Sequence, residues 1–325
     1  SWIWRYAKRP NFDPKSILVI RKEGTLVAAL VMTYGTMNIQ GKQKKIALID
    51  DVSTLPRWQR RGFATSLIDH AIGRAQEVGC WGIHLSADPD GSANRIYKNA
   101  GFETITRCRN MLGILHHRRA ARFGKRRHAI PLSAMSILNR FRPSRIDIEN
   151  LGIEIIEDSA ASEVLLRALN SFGLQNGTLI FNDEYVKWMT RPRSDGAMKV
   201  ASITQNNEFS GVFTLSSSDF SGPGGTDRMA VIGNLTLSES MRFKDAIAAA
   251  LHRAKRITKV SLDCAMINMF VDSRDALLNA ACKKAGFIDV GQVASMFHSL
   301  GHPERQHEIR KGIWNQPVET AKSNP

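Results

Sequence analysis

Residues 46–79 constrain the fold of this chain more than any other stretch, because they read as a strand, a basic glycine turn and a helix in direct succession. Ile46–Thr54 is an apolar strand carrying Asp50 and Asp51 side by side. The turn runs Leu55-Pro56-Arg57-Trp58-Gln59-Arg60-Arg61-Gly62-Phe63-Ala64. From Ala64 onward, Leu67, Ile68, Ala71, Ile72, Ala75 and Val78 recur on one face of an α-helix, and Gly79 is suited to end it. A helix that starts in such a turn aims free backbone N–H groups and its positive dipole end at one point, which favours an anion. Gly62 removes the Cβ that would block the approach. Arg57, Arg60 and Arg61 add full charges beside the partial ones.

The continuation sharpens the reading. Cys80–Ala87 alternates Ile83, Leu85 and Ala87 with Gly82, His84 and Ser86, as a second strand does. Asp88-Pro89-Asp90-Gly91 is a turn that can start a helix, and Ser92–Phe102 follows it. Here the chain resembles the GNAT superfamily of acetyl-coenzyme A-dependent N-acetyltransferases. Gln59–Ala64 matches that family's Q/R-x-x-G-x-G/A turn, and Ala93–Phe102 matches its A-x-x-L/I-Y-x-x-x-G-F helix end. The resemblance implies an α/β (α+β) fold with a mixed sheet and flanking helices.

Composition agrees. The chain has 325 residues, 43% hydrophobic, enough for two ordinary cores. Cys80, Cys108, Cys264 and Cys282 lie far apart, without CxxC or metal-ligand spacing. That pattern suits reduced thiols, so a cytoplasmic protein without a metal is expected. No apolar run reaches the length of a membrane span. The net charge of +15 favours polyanions: coenzyme A is one, nucleic acid and anionic lipid are others. The dense basic run 116–128 reads first as a solvated linker. Nucleic-acid contact is the alternative, and Phe123 is its lone aromatic.

The sequence also repeats itself. Trp4–Pro10 returns loosely as Val186–Pro192, an offset of 182 (191 − 9). Lys98–Phe102 returns as Lys283–Phe287, an offset of 185 (286 − 101). Two anchors at nearly one offset predict a duplicated domain. Strand pairs around Glu23-Gly24 and Asn206-Asn207 fit the same scheme. The expected division is a catalytic domain over 1–115, a basic linker over 116–150, a second GNAT-like domain over 151–300 and a tail over 301–325. The second copy carries Leu237-Ser238-Glu239-Ser240-Met241 in place of the glycine turn and Cys282 in place of Tyr97. It is therefore expected to be degenerate, and an isolated 151–325 fragment to fold without transferase activity. Residues 151–183 precede its counterpart of the Trp4 segment, so the first copy is expected to be truncated at its N-terminus.

The resemblance implies roles for individual residues. Backbone groups of Val52, Ser53 and Thr54 would pair with the pantetheine arm of acetyl-coenzyme A, and those of Gln59, Arg60, Arg61, Gly62, Phe63 and Ala64 would hold its pyrophosphate. Asp90 and Ala93, at the start of the next helix, would also meet the cofactor, although Asp90 stands where the family usually has Asn. Tyr97 would be the general acid. Asp51 or Asp50 would be the base, and only one can face a cleft unless a bulge intervenes. The lone strand histidine, His84, reads as structural. The expected activity is direct acetyl transfer to a primary amine: an amino acid, a peptide N-terminus, a polyamine and an antibiotic amine all remain open as acceptors. The alternative is a coenzyme A-binding or regulatory module without turnover.

Overall fold

The computed structural model describes residues 3–121, 148, 150–172, 178–191, 198–222 and 225–300. Most of the basic linker and the whole 301–325 tail lie outside them. In chain order the elements are β1 (Ile17–Lys22), β2 (Thr25–Ile39), β3 (Lys42–Thr54), α1 (Phe63–Glu77), β4 (Gly82–Ala87), α2 (Ser92–Asn99), β5 (Glu103–Ile114), α3 (His117–Ala120), β6 (Leu151–Ile155), α4 (Asp158–Phe172), β7 (Leu179–Ile180), α5 (Asp183–Thr190), β8 (Lys199–Gln205), β9 (Glu208–Gly222), β10 (Gly225–Leu237), α6 (Lys244–Ser261), β11 (Met266–Asp272), α7 (Ala276–Lys284) and β12 (Ile288–Ser299). The fold is mixed α/β, as expected. It divides into two units. The first holds the chain up to Cys108, the segment through Phe181 and the residues from Gln292; the second holds Arg109 to Gly173 and Asn182 to Gly291.

In the first unit, β1, β2 and β3 form an antiparallel ladder, β3 runs parallel to β4, and β4 pairs antiparallel with the end of β12. The hairpins turn tightly because Glu23-Gly24 and Gln40-Gly41 hold positive φ at both central residues, the geometry that matches strand twist. The face of α1 predicted from its spacing is the buried one. Leu67, Ile68, Ala71 and Ala75 pack with Leu30, Met32, Ala47, Ile49, Ile83 and Leu85.

The second unit repeats this plan. β6, β8, β9 and β10 pair antiparallel, with Asn206-Asn207 at positive φ in the turn between β8 and β9, and β10 runs parallel to β11. The alanine-rich face of α6 covers its core with Phe213, Ile232, Ile267 and Phe287.

The last strand of each repeat ends in the other unit: β5 from Arg109 belongs to the second, and β12 from Gln292 to the first. β5 and β12 have the same length and are offset by 185 residues (288 − 103). β12 closes the first unit: Ala294–Ser299 pairs with Gly82–Ala87, and His84 on β4 bonds Ser295 through Nε2 at 2.8 Å. In the second unit β5 neighbours β11, where Leu115 N donates to Ala265 O and Asn268 donates to Asn110. Ala294–Ser299, within the 151–300 stretch expected to form the second domain, thus pairs with β4 of the first unit.

The fit of β12 is close. Phe297 is fully buried among Met37, Ile39, Ile46, Leu48 and Ile105, with the Trp81 ring 5.7 Å away. A Cβ on Gly82 would lie 2.2 Å from Phe297 Cζ and 2.9 Å from the His298 carbonyl, so only glycine fits there. His298 Nδ1 donates to Gly101 O at 3.0 Å and holds the Gly101-Phe102 turn.

A fragment ending at 115 lacks this strand, and a fragment beginning at 151 lacks Arg109–Ile114 of its own unit. Neither fragment is expected to unfold cooperatively in denaturant. Fusing residues 286–300 to the 1–115 fragment through a flexible linker should restore a cooperative transition. A cooperative transition in unfused 1–115 would contradict the strand assignment.

Candidate functional site

The strand that carries the two aspartates changes character at Ile49. Up to that residue β3 is paired on both edges, with Ile46–Ile49 parallel to Gly82–Leu85 of β4. The parallel register then ends, while β3 runs on through Asp50–Thr54 beside β2 alone. The cause is local. Val31 faces Asp51 and Met32 faces Ile49, so Asp50 is the extra residue of a β-bulge. A bulge bends its strand and increases its twist. The result is a wedge with Asp51, Val52, Ser53 and Thr54 along one side. An extended ligand laid there meets backbone groups in the way another strand would.

The turn after the wedge leaves a helix start open. Pro56–Trp58 is a 3₁₀ turn, and Gln59 reaches back from its Nε2 to Thr54 O at 3.3 Å, tying the turn to the strand end. Arg60 and Gly62 both hold positive φ, +60° and +82°. Gly62 is the N-cap of α1 and supplies no side-chain cap; the first α-helical bond is Ser66 N to Gly62 O at 3.0 Å. The N–H groups of Gly62, Phe63, Ala64 and Thr65 are the ones a helix start leaves without intrahelical partners. A Cβ on Gly62 would meet no atom within 4 Å, so the approach is open. Arg61 stacks over Trp58 at 4.7 Å, and Trp58 packs 6.0 Å from Phe63. Arg57, Arg60 and Arg61 are exposed and make no ion pair among the described residues.

Tyr97 lies on the buried face of α2, packed with Phe102 at 6.0 Å and with the same core that α1 covers. Burial pushes its phenol above the ordinary tyrosine value, so it stays protonated at neutral pH. Asp90 and Ala93 are exposed at the start of α2. Asp90 does not cap that helix: Gly91 is the N-cap and offers no side chain, while Asp90 N bonds Asp88 Oδ1 at 3.0 Å. The turn is instead locked from inside by Asn94, which is buried and bonds the Pro89 carbonyl. Sequence reading passed over Asn94, although Asn279 stands 185 residues on (279 − 94) and bonds Asp272 O at 2.8 Å in the second unit.

The aspartates differ sharply. Both are held by the segment preceding β1, so the bulge has turned two consecutive side chains toward one partner. Asp50 is buried, 3.6 Å from the equally buried Arg9 and 2.9 Å from Thr33 Oγ1. The Asp51 side chain is 40% exposed. It accepts a hydrogen bond from the Tyr6 hydroxyl, and Arg5 Nη1 lies 3.7 Å away. Arg5 and Tyr6 sit on a π-helical turn, Ile3–Ala7. Their signal in sequence was the Trp4–Pro10 anchor, which marked the repeat without naming a site. His84 is the structural residue expected: burial lowers its pKa to about 4, and its ring serves the contact with Ser295.

The second unit keeps the wedge and lacks the glycine turn. β10 runs parallel to β11 only over Met229–Val231, and its register with β9 is irregular between Gly233 and Thr236. No residue of 238–243 has positive φ. Met241 fills the turn, fully buried, and Glu239 is exposed at its rim. Cys282 stands in the core where the first unit has Tyr97, its thiol pushed up to about 12 by burial. Among the described residues no group of three or more His, Cys, Asp or Glu is gathered as a metal site. No helix there is long and apolar enough to cross a membrane.

Comparison with known proteins agrees with this geometry. A family profile described as an acetyltransferase (GNAT) domain matches residues 4–105. No curated protein sequence matches the chain. Among solved structures, Saccharomyces cerevisiae N-myristoyltransferase with bound myristoyl-CoA superposes with a TM-score of 0.67 at 12% identity, over 91% of this chain and 68% of that one. A GCN5-related N-acetyltransferase from Anabaena variabilis gives a TM-score of 0.56 at 14% identity, over 88% of this chain and 63% of that one. Residues 4–105, which hold the wedge, the glycine turn and Tyr97, thus match a GNAT acetyltransferase domain profile, and the chain shares the fold of these acyltransferase structures.

Proposed function

We propose that this chain is an acyl-coenzyme A-dependent N-acyltransferase, with acetyl-coenzyme A as donor and a primary amine as acceptor, acting through the first unit alone. The observation that carries the reading is the pairing of an open wedge with an uncapped glycine turn at its mouth. The residues fit the donor. The open edge of Val52, Ser53 and Thr54 suits an amide-bearing pantetheine arm, and the N–H groups from Gly62 to Thr65 suit a pyrophosphate. Each charge-assisted bond contributes roughly 1.5–3 kcal/mol, enough together for micromolar affinity after association costs of several kcal/mol. The N-myristoyltransferase neighbour holds myristoyl-CoA, which supports a coenzyme A thioester as donor; the short acetyl group is the finer part of the proposal.

The chain's own groups then complete the transfer. Asp51, accessible to solvent, takes one proton from the acceptor ammonium. The freed nitrogen bonds the thioester carbonyl carbon, the nitrogen loses its second proton to solvent, and the carbon–sulfur bond breaks. Tyr97 gives its phenolic proton to the departing sulfur and regains one from water. No covalent acyl-enzyme is needed, and the buried cysteines are poorly placed for one: burial pushes the Cys80 thiol up to about 11. Asp50 is assigned to structure, because its charge is consumed by Arg9.

Three outcomes test this. Gly62→Glu should abolish acetyl-coenzyme A binding in calorimetry while the variant still melts cooperatively, at a temperature lowered modestly by the strain of a side chain at φ +82°, since the new carboxylate fills an open site with the wrong charge. Unchanged affinity in the folded variant would contradict the role given to the glycine turn. Tyr97→Phe should lower kcat by about tenfold to a thousandfold at neutral pH, within the scale of general acid catalysis, with donor affinity unchanged. An unaltered rate would reduce Tyr97 to packing. Asp50→Ala should cost about 3–5 kcal/mol of stability by stranding a buried arginine, whereas Asp51→Asn should keep stability and lose turnover. The reverse pattern would exchange the two roles.

A further inference from the structure

We infer that Tyr6 and Arg5 are positioning residues for Asp51, holding its carboxylate in the one orientation that meets the acceptor amine; the inference rests on the role proposed for Asp51. Four observations carry it. Asp51 follows a bulge residue, where the backbone of β3 is least constrained by its neighbours and a side chain depends most on outside support. The Tyr6 hydroxyl supplies that support by donating to Asp51 Oδ2, from a residue 1% exposed. Burial, followed by the charge of Asp50, pushes the Tyr6 phenol far up, so it remains a donor across the working range. Arg5, on the same π-helical turn, approaches Oδ2 from Nη1 at 3.7 Å. One oxygen of the carboxylate is thus engaged by two donors from the preceding segment, and neither contact is made to Oδ1.

The adjacent pair explains why the segment is seated so firmly. Arg9 lies on Asp50 at 3.6 Å with both side chains nearly out of solvent, and Thr33 from β2 completes that contact. The Arg9–Asp50 ion pair anchors the turn, and the Tyr6–Asp51 hydrogen bond uses the anchor. A tyrosine that served packing alone would not need its hydroxyl on the exposed member of the aspartate pair. A residue that acts through another should lose its effect when that other is removed, and this distinguishes positioning from structure.

The test is a double-mutant cycle in the full chain, with acetyl-coenzyme A as donor, a pool of primary amines as acceptor and thiol release as readout. Tyr6→Phe keeps the ring and its packing. It should lower kcat about tenfold, with the KM for acetyl-coenzyme A and the melting temperature little changed. Asp51→Asn should lower kcat by a hundredfold or more, and adding Tyr6→Phe to it should produce no further loss. Arg5→Gln runs the same cycle should Tyr6→Phe fail to fold. Losses that multiply across the cycle, or an unchanged kcat in Tyr6→Phe, would overturn the inference. Calorimetry of the unsubstituted protein with acetyl-coenzyme A separates the two levels. Absence of binding there refutes the proposed function itself, whereas binding and turnover with an additive cycle refute only the positioning role.

Discussion

The first unit depends on a single departure from regular pairing. β3 keeps its register with β2 for its whole length, apart from one skipped residue at Asp50, and abandons β4 after Ile49. An extra residue in one strand costs ladder regularity and gains a bend. Here the bend opens the wedge and turns Asp50 and Asp51 toward the same N-terminal segment, and the helix that follows points its uncapped start at the wedge. If β3 stayed flat against β4, the strand edge would be consumed by pairing, and the glycine turn would be an ordinary helix start.

Burial then sorts the polar groups by task. Arg9, Asp50 and Thr33 form a buried charged cluster that fixes a position, and a broken member would leave a costly buried charge. Asp51 keeps access to solvent and accepts a hydrogen bond from Tyr6. Burial raises the Tyr97 phenol and keeps it protonated at neutral pH. His84 is buried further and is held neutral, its ring committed to β12. In the second unit Met241 and Cys282 put apolar bulk in the places that match the glycine turn and Tyr97.

Much of this was legible in the sequence. The period of α1, the Glu23-Gly24 and Asn206-Asn207 turns and the Gln59–Ala64 glycine turn are local signals, because spacing and special φ values are written within a few residues. Asp50 and Asp51 could be named but not told apart, since alternation assigns opposite faces and the bulge that overrides it leaves no mark in composition. Tyr6 and Arg9 were visible only as part of a repeated heptapeptide, because their partners lie some forty residues away. The placement of β12 beside β4 was hidden for a similar reason. Each of β5 and β12 has a suitable partner in its own repeat and in the other, and Phe297 fitting over Gly82 is a tertiary choice. Asp90 was named from the family pattern alone, and the structure adds that the N-cap of the helix beside it is Gly91.

Amide hydrogen exchange, read residue by residue with and without acetyl-coenzyme A, addresses the central claim most directly, because the claim concerns backbone N–H groups. Ligand should slow exchange at Asp51–Thr54 and at Gly62–Thr65, and leave Ser238–Phe243 unchanged. Protection confined to the second turn, or none at either site at saturating ligand, would contradict the assignment of the wedge and the glycine turn as the place where the donor is held.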